Sequence, residues 1–371
     1  MPVPKLRFKE FSGEWEEKKL GEIGKVSMCK RIMKDQTSLS GDIPFYKIGT
    51  FGKKADAYIS KEIYKEYKNK YSFPNKGDIL LSASGTIGRT VIYNGEPAYF
   101  QDSNIVWIAN NEKKVLNSFL FQLYKNIKWT TENTTIARLY NDNLSNMCVY
   151  FPVLKEQEKI GNFLSSVDKK ISIMEEKLNL FEEYKKGIMQ KIFSQKLRFK
   201  NENGNDYPKW EEKKLNEVLK IGNGKDYKHL NIGKIPVYGT GGVITKVDDF
   251  LYNGESVGIG RKGTINKPIF LTGKFWTVDT LFYTYEFKNS LPKFIYYVFN
   301  NIDWLSYNEA TGVPSLSKST ILKIVINLPC LEEQKKIADF LSSIDIKIEK
   351  ISDELENLKE FKKGLLQKMF V

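Results

Sequence analysis

Cysteine is scarce in this sequence: Cys29, Cys148 and Cys330 are the only three in 371 residues, far apart and odd in number. That excludes a disulfide framework and a zinc site of paired cysteines, and leads us to expect reduced, buried thiols in a cytoplasm. Histidine is scarcer still. His229 stands alone, so a histidine-rich metal centre is excluded and a structural role is expected for it. No apolar run approaches the roughly 18 residues that a spanning helix needs. The opening MPVPKLRF lacks the apolar core of a signal peptide. Absent as well are N/D-P-P-Y/F, G-x-x-x-x-G-K-S/T and any clear cluster of nuclease carboxylates.

What is present in excess is positive charge. Lys and Arg number 58 against 45 Asp and Glu, a net charge of +13, which favours a polyanionic partner, most commonly nucleic acid. The length of 371 residues is enough for two or three domains with cores of ordinary size, and at 41% hydrophobic residues neither a disordered nor a membrane-bound chain is expected.

The chain also repeats itself. PVLKEQEKIGNFLSSVDKKI, from Pro152, returns as PCLEEQKKIADFLSSIDIKI, from Pro329; over 152–193 and 329–370 there are 21 identities in 42 ungapped positions. The entries to the halves match too: L6-R-F-K-E-F and W15-E-E-K-K-L20 against L197-R-F-K-N-E and W210-E-E-K-K-L215. Between entry and helix the similarity thins. A duplicated frame around diverged middles implies two readers of different targets on one scaffold.

In the constant segments apolar residues fall on columns seven apart. The first has Ile160, Val167, Met174, Phe181, Ile188 beside Leu164, Ile171, Leu178, Lys185, Ile192. The second has Ile337, Ile344, Ile351, Leu358, Leu365 beside Leu341, Ile348, Leu355, Lys362, Met369. Alternating steps of four and three predict long helices with a coiled-coil seam, each roughly 60 Å long at about 1.5 Å per residue. With no other obvious partner for either seam, the two are expected to pack on each other; antiparallel pairing would leave the globular units at opposite ends of a rod. Lys185 and Lys362 occupy the same seam position, where a polar group can fix register at a cost in stability.

The variable middles read as short strands, such as I43-P-F-Y, G77-D-I-L-L-S-A-S, A98-Y-F-Q-D-S-N-I-V-W-I and F275-W-T-V-D-T-L-F-Y, with short helices near 61–70, 117–128 and 292–304. Each middle is therefore α+β. One stretch, V257-G-I-G-R-K-G-T-I265, imitates the G-x-G-x-x-G loop of dinucleotide sites. Such a loop must open a helix, but here Asn266-Lys267-Pro268-Ile269-Phe270 follows, and the first copy keeps only Gly85-Thr86-Ile87 against Gly263-Thr264-Ile265. A glycine turn that lets polar and basic groups approach a backbone or groove fits better than a nucleotide loop.

Two variable units, each followed by a near-identical helix with L-x-E-Q-x-K-I-x-x-F-L-S-S-x-D and K-K-G-x-x-Q-K-x-F, together with the W-E-E-K-K-L entries and G-T-I loops, resemble the specificity subunit of type I restriction–modification systems. The resemblance spans essentially the whole chain. It implies an α+β fold with an internal pseudo-two-fold repeat. Mixed α/β target-recognition domains at 1–151 and 197–328 would alternate with long antiparallel coiled-coil helices at 152–196 and 329–371. Each globule would read half of a bipartite site in double-stranded DNA. The helices would set the gap between halves (60 Å compares with about 18 base pairs at roughly 3.4 Å) and dock two methyltransferase subunits. Those would carry S-adenosylmethionine and methylate adenine; restriction subunits would cleave with ATP and magnesium. This chain would hold no cofactor and no catalytic centre. Close to this stands the specificity subunit of a type II-like or orphan methyltransferase system. From other classes come a stand-alone nuclease or methyltransferase, an RNA binder and a structural coiled-coil protein.

DNA-contact candidates in the first half are Lys53, Lys54, Ser84, Thr86, Arg89 and Arg138; in the second, Lys225, Lys228, Tyr238, Thr240, Arg261, Lys262, Thr264 and Lys318. Basic residues would hold phosphates and polar side chains would read base edges. Arg138 is placed by its weak match, T134-T-I-A-R-L-Y-N141 against T311-G-V-P-S-L-S-K318, where the first copy lacks the glycine. For docking and pairing, the candidates are Ile160, Leu164, Val167, Ile171, Leu178 and Lys185 with Ile337, Leu341, Ile344, Ile348, Leu355 and Lys362.

Overall fold

A computed structural model describes residues 3–129 and 138–371. The chain divides into two compact units, Met1–Glu175 together with Glu354–Val371, and Glu176–Asp353. The boundaries fall inside the two long helices, Leu154–Phe193 and Leu331–Met369.

The repeated words of the sequence are parts of one joint. In the first unit the W-E-E-K-K-L entry forms the strand Glu16–Lys19, paired antiparallel with Cys148–Phe151, which leads into the long helix. Glu211–Lys214 pairs likewise with Val325–Leu328 in the second. In the first turn of each helix Glu156 and Glu333 are fully buried. A buried carboxylate must be compensated, and L-R-F supplies the partner. Arg7 holds Glu156 by two 2.7 Å bonds. Arg198 holds Glu333 at 3.1 and 2.6 Å, with the Trp210 indole donating at 3.0 Å. The next residue, Gln157, donates to the carbonyls of Pro152 and Lys114 and accepts from the Leu116 amide at 2.9 Å. Gln334 does the same with Pro329, Asn289 and Leu291. The E-Q pair thus fastens helix, entry segment and the loop before a short helix.

That short helix is Asn117–Asn126 in the first unit and Pro292–Asn301 in the second, with a 3-10 turn at Trp304–Tyr307; the third expected helix forms over Lys61–Lys70. Each unit carries a four-stranded antiparallel sheet. One orders Gly24–Met28, Ile105–Asn110, Ile79–Ser82 and Thr90–Ile92; the other Lys220–Gly222, Leu281–Tyr285, Ser256–Gly260 and Ile269–Leu271. A second sheet accompanies each, three-stranded and built on Ile43–Tyr46 in the first unit, four-stranded and built on the hairpin Ile232–Gly239/Gly242–Val247 in the second. The stretch from Ala98 to Ile108 is not one strand. It breaks into Tyr99–Phe100 and Ile105–Asn110 around Ser103, whose φ of 51° turns the chain.

The heptad columns are buried or half-buried and form more than a two-helix seam. Ile160, Leu164 and Val167 share a core with Phe119, Leu120 and Leu123 of their own unit and with Leu365, Met369 and Phe370 from the end of the second long helix. Ile337, Leu341 and Ile344 share theirs with Phe294, Val298, Met189 and Ile192. Ile171, Leu178 and Ile348 are half-buried and Leu355 is buried. In each unit, then, one helix beginning and the other helix's end close over the globule together.

The seam lysines are paired across copies. Lys362 bonds Asp168, and Lys359 meets Glu175 at 2.5 Å, so within the first unit the helices run antiparallel. Lys185 meets Asp345 at 2.5 Å in the second. Both aspartates belong to the repeated F-L-S-S-x-D word, and both take a further bond: Asp168 from Gln122 at 2.9 Å, Asp345 from the Tyr297 hydroxyl at 2.7 Å. Burial pushes the Asp168 carboxyl up, but bonds from Lys362 and Gln122 and the charge of Lys125 hold it below its ordinary range.

Two outcomes follow from this packing. Phe370 lies 5.3 Å from the Phe119 ring and 6.3 Å from Trp15, so Phe370→Ala should destabilise the first unit by about 3–5 kcal/mol. Hydrogen exchange would show its amides opening faster while those of the second unit hold; equal effects on both would refute the assignment. The second concerns Lys125, drawn down to about 8 chiefly by burial and next by Lys362, with Asp168 opposing. Between that value and the roughly 10.4 of a free lysine, the unfolded chain binds a proton that the folded chain does not, so stability gains as pH rises. Relative to Lys125→Met, the wild type should gain stability in urea titrations between about pH 8 and pH 10; a pH-independent difference would contradict it.

Candidate nucleic-acid interface

The glycine-rich stretch of the second unit is a strand and a turn. Ser256–Gly260 is buried throughout and pairs through Ser256–Gly258 with Ile269–Leu271, so no helix follows the loop. A Cβ on Gly260 would stand 2.1 Å from the Thr264 carbonyl, and Gly263 has φ +91°. These glycines serve a tight reversal, in keeping with the reading against a nucleotide loop.

The reversal is cross-braced. The Gly263 amide donates to the Pro314 carbonyl at 2.8 Å, the Leu316 amide to the Arg261 carbonyl at 2.9 Å, and Lys262 bridges Ser315. In the first unit the Leu139 amide donates to the Ala83 carbonyl at 2.8 Å, and Ser84 bridges Arg138. Ser84 precedes Gly85-Thr86-Ile87 as Lys262 precedes Gly263-Thr264-Ile265, so Arg138 occupies the place of Ser315. The geometry supplies the correspondence that the sequence showed only weakly. Thr134 to Ala137 lie outside the described residues.

In the second unit this junction forms one side of a cleft of about 790 Å³, lined by Arg261, Lys262, Lys318, Asn223, Ser315 and Glu309 among others. Three predicted cations therefore converge. Arg261 and Lys262 are exposed and Lys318 is half-buried; none of the three is in an ion pair among the described residues. Arg261 rests 5.9 Å from the centre of the Phe282 ring. Glu309 is the acid of the cleft, and its charge is engaged: Thr320 donates its hydroxyl and Ser317 its amide, which together hold the carboxyl below its usual range. The cleft presents unpaired donors to an anion. Thr264, Thr240 and Tyr238 are half-buried and do not line it; the Tyr238 ring packs edge-on against Phe275 at 6.4 Å. Lys225 and Lys228 are exposed on the segment before the hairpin.

In the first unit, Thr86, Lys53 and Lys54 are exposed, and Ser84 donates its hydroxyl to Asn104 at 2.8 Å. Arg89 is half-buried and donates to the Phe51 carbonyl at 2.9 Å. It acts as a tie, fastening the turn that carries Lys53 and Lys54 to the G-T-I loop. A cleft of about 600 Å³ opens beside this loop, lined by Arg31, Lys34, Lys47, Gln101, Asp102 and Asn104 among others. Sequence reasoning missed all six. The basic run C29-K-R-I-M-K34 was a usable signal, but the turn at Ser103 that faces it was hidden inside an apparent strand.

Among the described residues no three His, Cys, Asp or Glu side chains are grouped to hold a metal, and no helix is long and apolar enough to cross a membrane. His229 is exposed, beside the Trp276 ring at 5.9 Å.

The family model described as type I restriction modification DNA specificity domain matches the chain twice, over residues 12–183 and 207–360. A Haemophilus influenzae protein, provisionally named a type I restriction enzyme specificity subunit, is 63% identical over 150 residues, which are 40% of this chain and 39% of that protein. The MjaVIII specificity subunit of a type I restriction enzyme, from Methanocaldococcus jannaschii, is 26% identical over 97% of this chain and 94% of its own length. The crystal structure of a type I restriction–modification S subunit from M. genitalium superposes with a TM-score of 0.70 over 100% of this chain and 99% of that one. At 17% identity, that likeness is one of fold.

The crowding at Gly260 gives a direct check on the junction. Gly260→Ala should cost about 1–3 kcal/mol and speed amide exchange at Gly263 and Leu316. Gly258→Ala, whose Cβ would press on the Leu271 side chain at 3.2 Å and otherwise meet Leu281 and the Ile269 carbonyl at ordinary contact distances of 3.5 and 3.6 Å, should do much less. Equal exchange in both variants would show that the glycine is not needed for the turn.

Proposed function

The chain belongs to the type I restriction modification DNA specificity family, and from that premise we propose that each unit reads one half of a bipartite site in double-stranded DNA. The supporting observation is the shared junction: a G-T-I turn braced at Lys262–Ser315 in one unit and Ser84–Arg138 in the other. The junction lines a cleft in the second unit, and in the first it is tied through Ser84 to Asn104 of a cleft with a different lining. The frame is common and the lining differs, as two half-sites of unlike sequence require. Arg261, Lys262 and Lys318 in one cleft and Lys34 in the other, free of acid partners among the described residues, supply salt-sensitive affinity for phosphates, and the polar groups of the clefts discriminate bases.

The constant helices, in this reading, set the spacing of the half-sites and dock two methyltransferase subunits, which carry S-adenosylmethionine; restriction subunits bring ATP- and magnesium-dependent cleavage. The recognition chain contributes no reacting group. The two-fold repeat supports the docking of two subunits, since two copies of one helix offer two equivalent docking sites.

Exchanging residues 1–150 for the matching part of a relative should change one half of the methylated sequence and leave the other half intact, as read by sequencing methylated bases in the host genome. A change in both halves, or in neither, would contradict modular reading.

A further inference from the structure

The cleft of the first unit holds an ion pair that no sequence signal singled out. Arg31 is two-thirds exposed, and its Nε donates to Asp102 Oδ2 at 2.8 Å; the carboxylate is 18% exposed. Both ends of the pair stand on fixed frame. The chain before Arg31 is held by buried Cys29 and by the Tyr99 hydroxyl, which donates to the Lys30 carbonyl at 3.1 Å. Asp102 follows Gln101, whose amide donates to the Tyr46 carbonyl at 2.9 Å and whose side chain accepts the Ile48 amide at 2.8 Å. Asn104, two residues on, accepts from Ser84 of the G-T-I loop. The pair and the loop therefore belong to one face.

A surface ion pair adds little stability, so its geometry is the informative part. With Nε occupied, the guanidinium keeps its Nη edge for another partner, and among the described residues nothing else bonds it. The carboxylate removes the rotamer freedom that a binding partner would otherwise have to freeze out. A planar fork of two parallel donors matches the O6 and N7 acceptors of guanine in the major groove; adenine offers one acceptor and one donor there, and a pyrimidine no such pair.

We propose that Arg31, held by Asp102, is the guanine-reading residue of the first unit. The inference rests on the DNA-recognition reading of this chain and adds a base and a residue to it. Lys34 and Lys47 line the same cleft, Lys47 paired with Asp56 at 2.9 Å; neither has a fork, and so neither can make this distinction.

The test is the methylated sequence of the host genome with the full chain as wild type, Arg31→Lys, Arg31→Ala or Asp102→Ala, each first confirmed to melt like the wild type. One guanine in one half of the wild-type motif should become degenerate in both Arg31 variants, with roughly a ten- to hundredfold loss of preference, and partly degenerate in Asp102→Ala. The other half should not move. An unchanged motif in Arg31→Lys overturns the assignment. So does a uniform fall in methylation with no position relaxed, which marks a phosphate contact that lysine can replace. A wild-type chain that directs no bipartite motif would instead bring down the recognition reading itself, and this inference with it.

Discussion

Neither unit completes its core from its own half of the sequence. The first needs Leu365, Met369 and Phe370 from the end of the second long helix; the second needs Met189 and Ile192 from the end of the first. Each helix therefore serves two cores, one with its beginning and one with its end. That double duty is a physical reason for the near-identity of the two helical segments. A change in either helix alters both an opening turn and a closing turn, and close-packed interiors tolerate few such changes.

Charge refines what apolar packing begins. Burying a carboxylate at the first turn of a helix is costly unless it is compensated, and Glu156 and Glu333 are compensated by an arginine from the entry segment of their own half. The seam lysines act differently. Each meets an aspartate of the other copy, Lys362 with Asp168 and Lys185 with Asp345. A shift of register by one turn would leave these charges unpaired at a half-buried site, so the pairs specify alignment more than they add stability.

The clefts are free of these duties. Their walls come from loops and strand ends whose backbone is held by hydrogen bonds, the braced G-T-I turn in the second unit and the ties of Gln101 and Tyr99 in the first, while Lys318 and Lys34 line the openings. Variation there costs little packing energy, because most of these side chains are exposed or half-buried. A rigid frame with replaceable lining is what a chain needs if its two halves are to recognise different sequences.

Much of this was legible in the sequence. The repeat, the heptads and the short strand-like stretches determined two α+β units on duplicated long helices, because periodicity and self-similarity are properties of the chain alone. The convergence of Arg261, Lys262 and Lys318 was partly visible, since they flank the G-T-I and T-G-V-P-S words. What each seam lysine meets, why E-Q recurs, and the tie made by Arg89 were decided only by tertiary structure. So was the place of Arg31, which lies 71 positions from the carboxylate that orients it. Pairing over such a distance is set by how the sheets stack and where Ser103 turns the backbone, and no local pattern of residues records it.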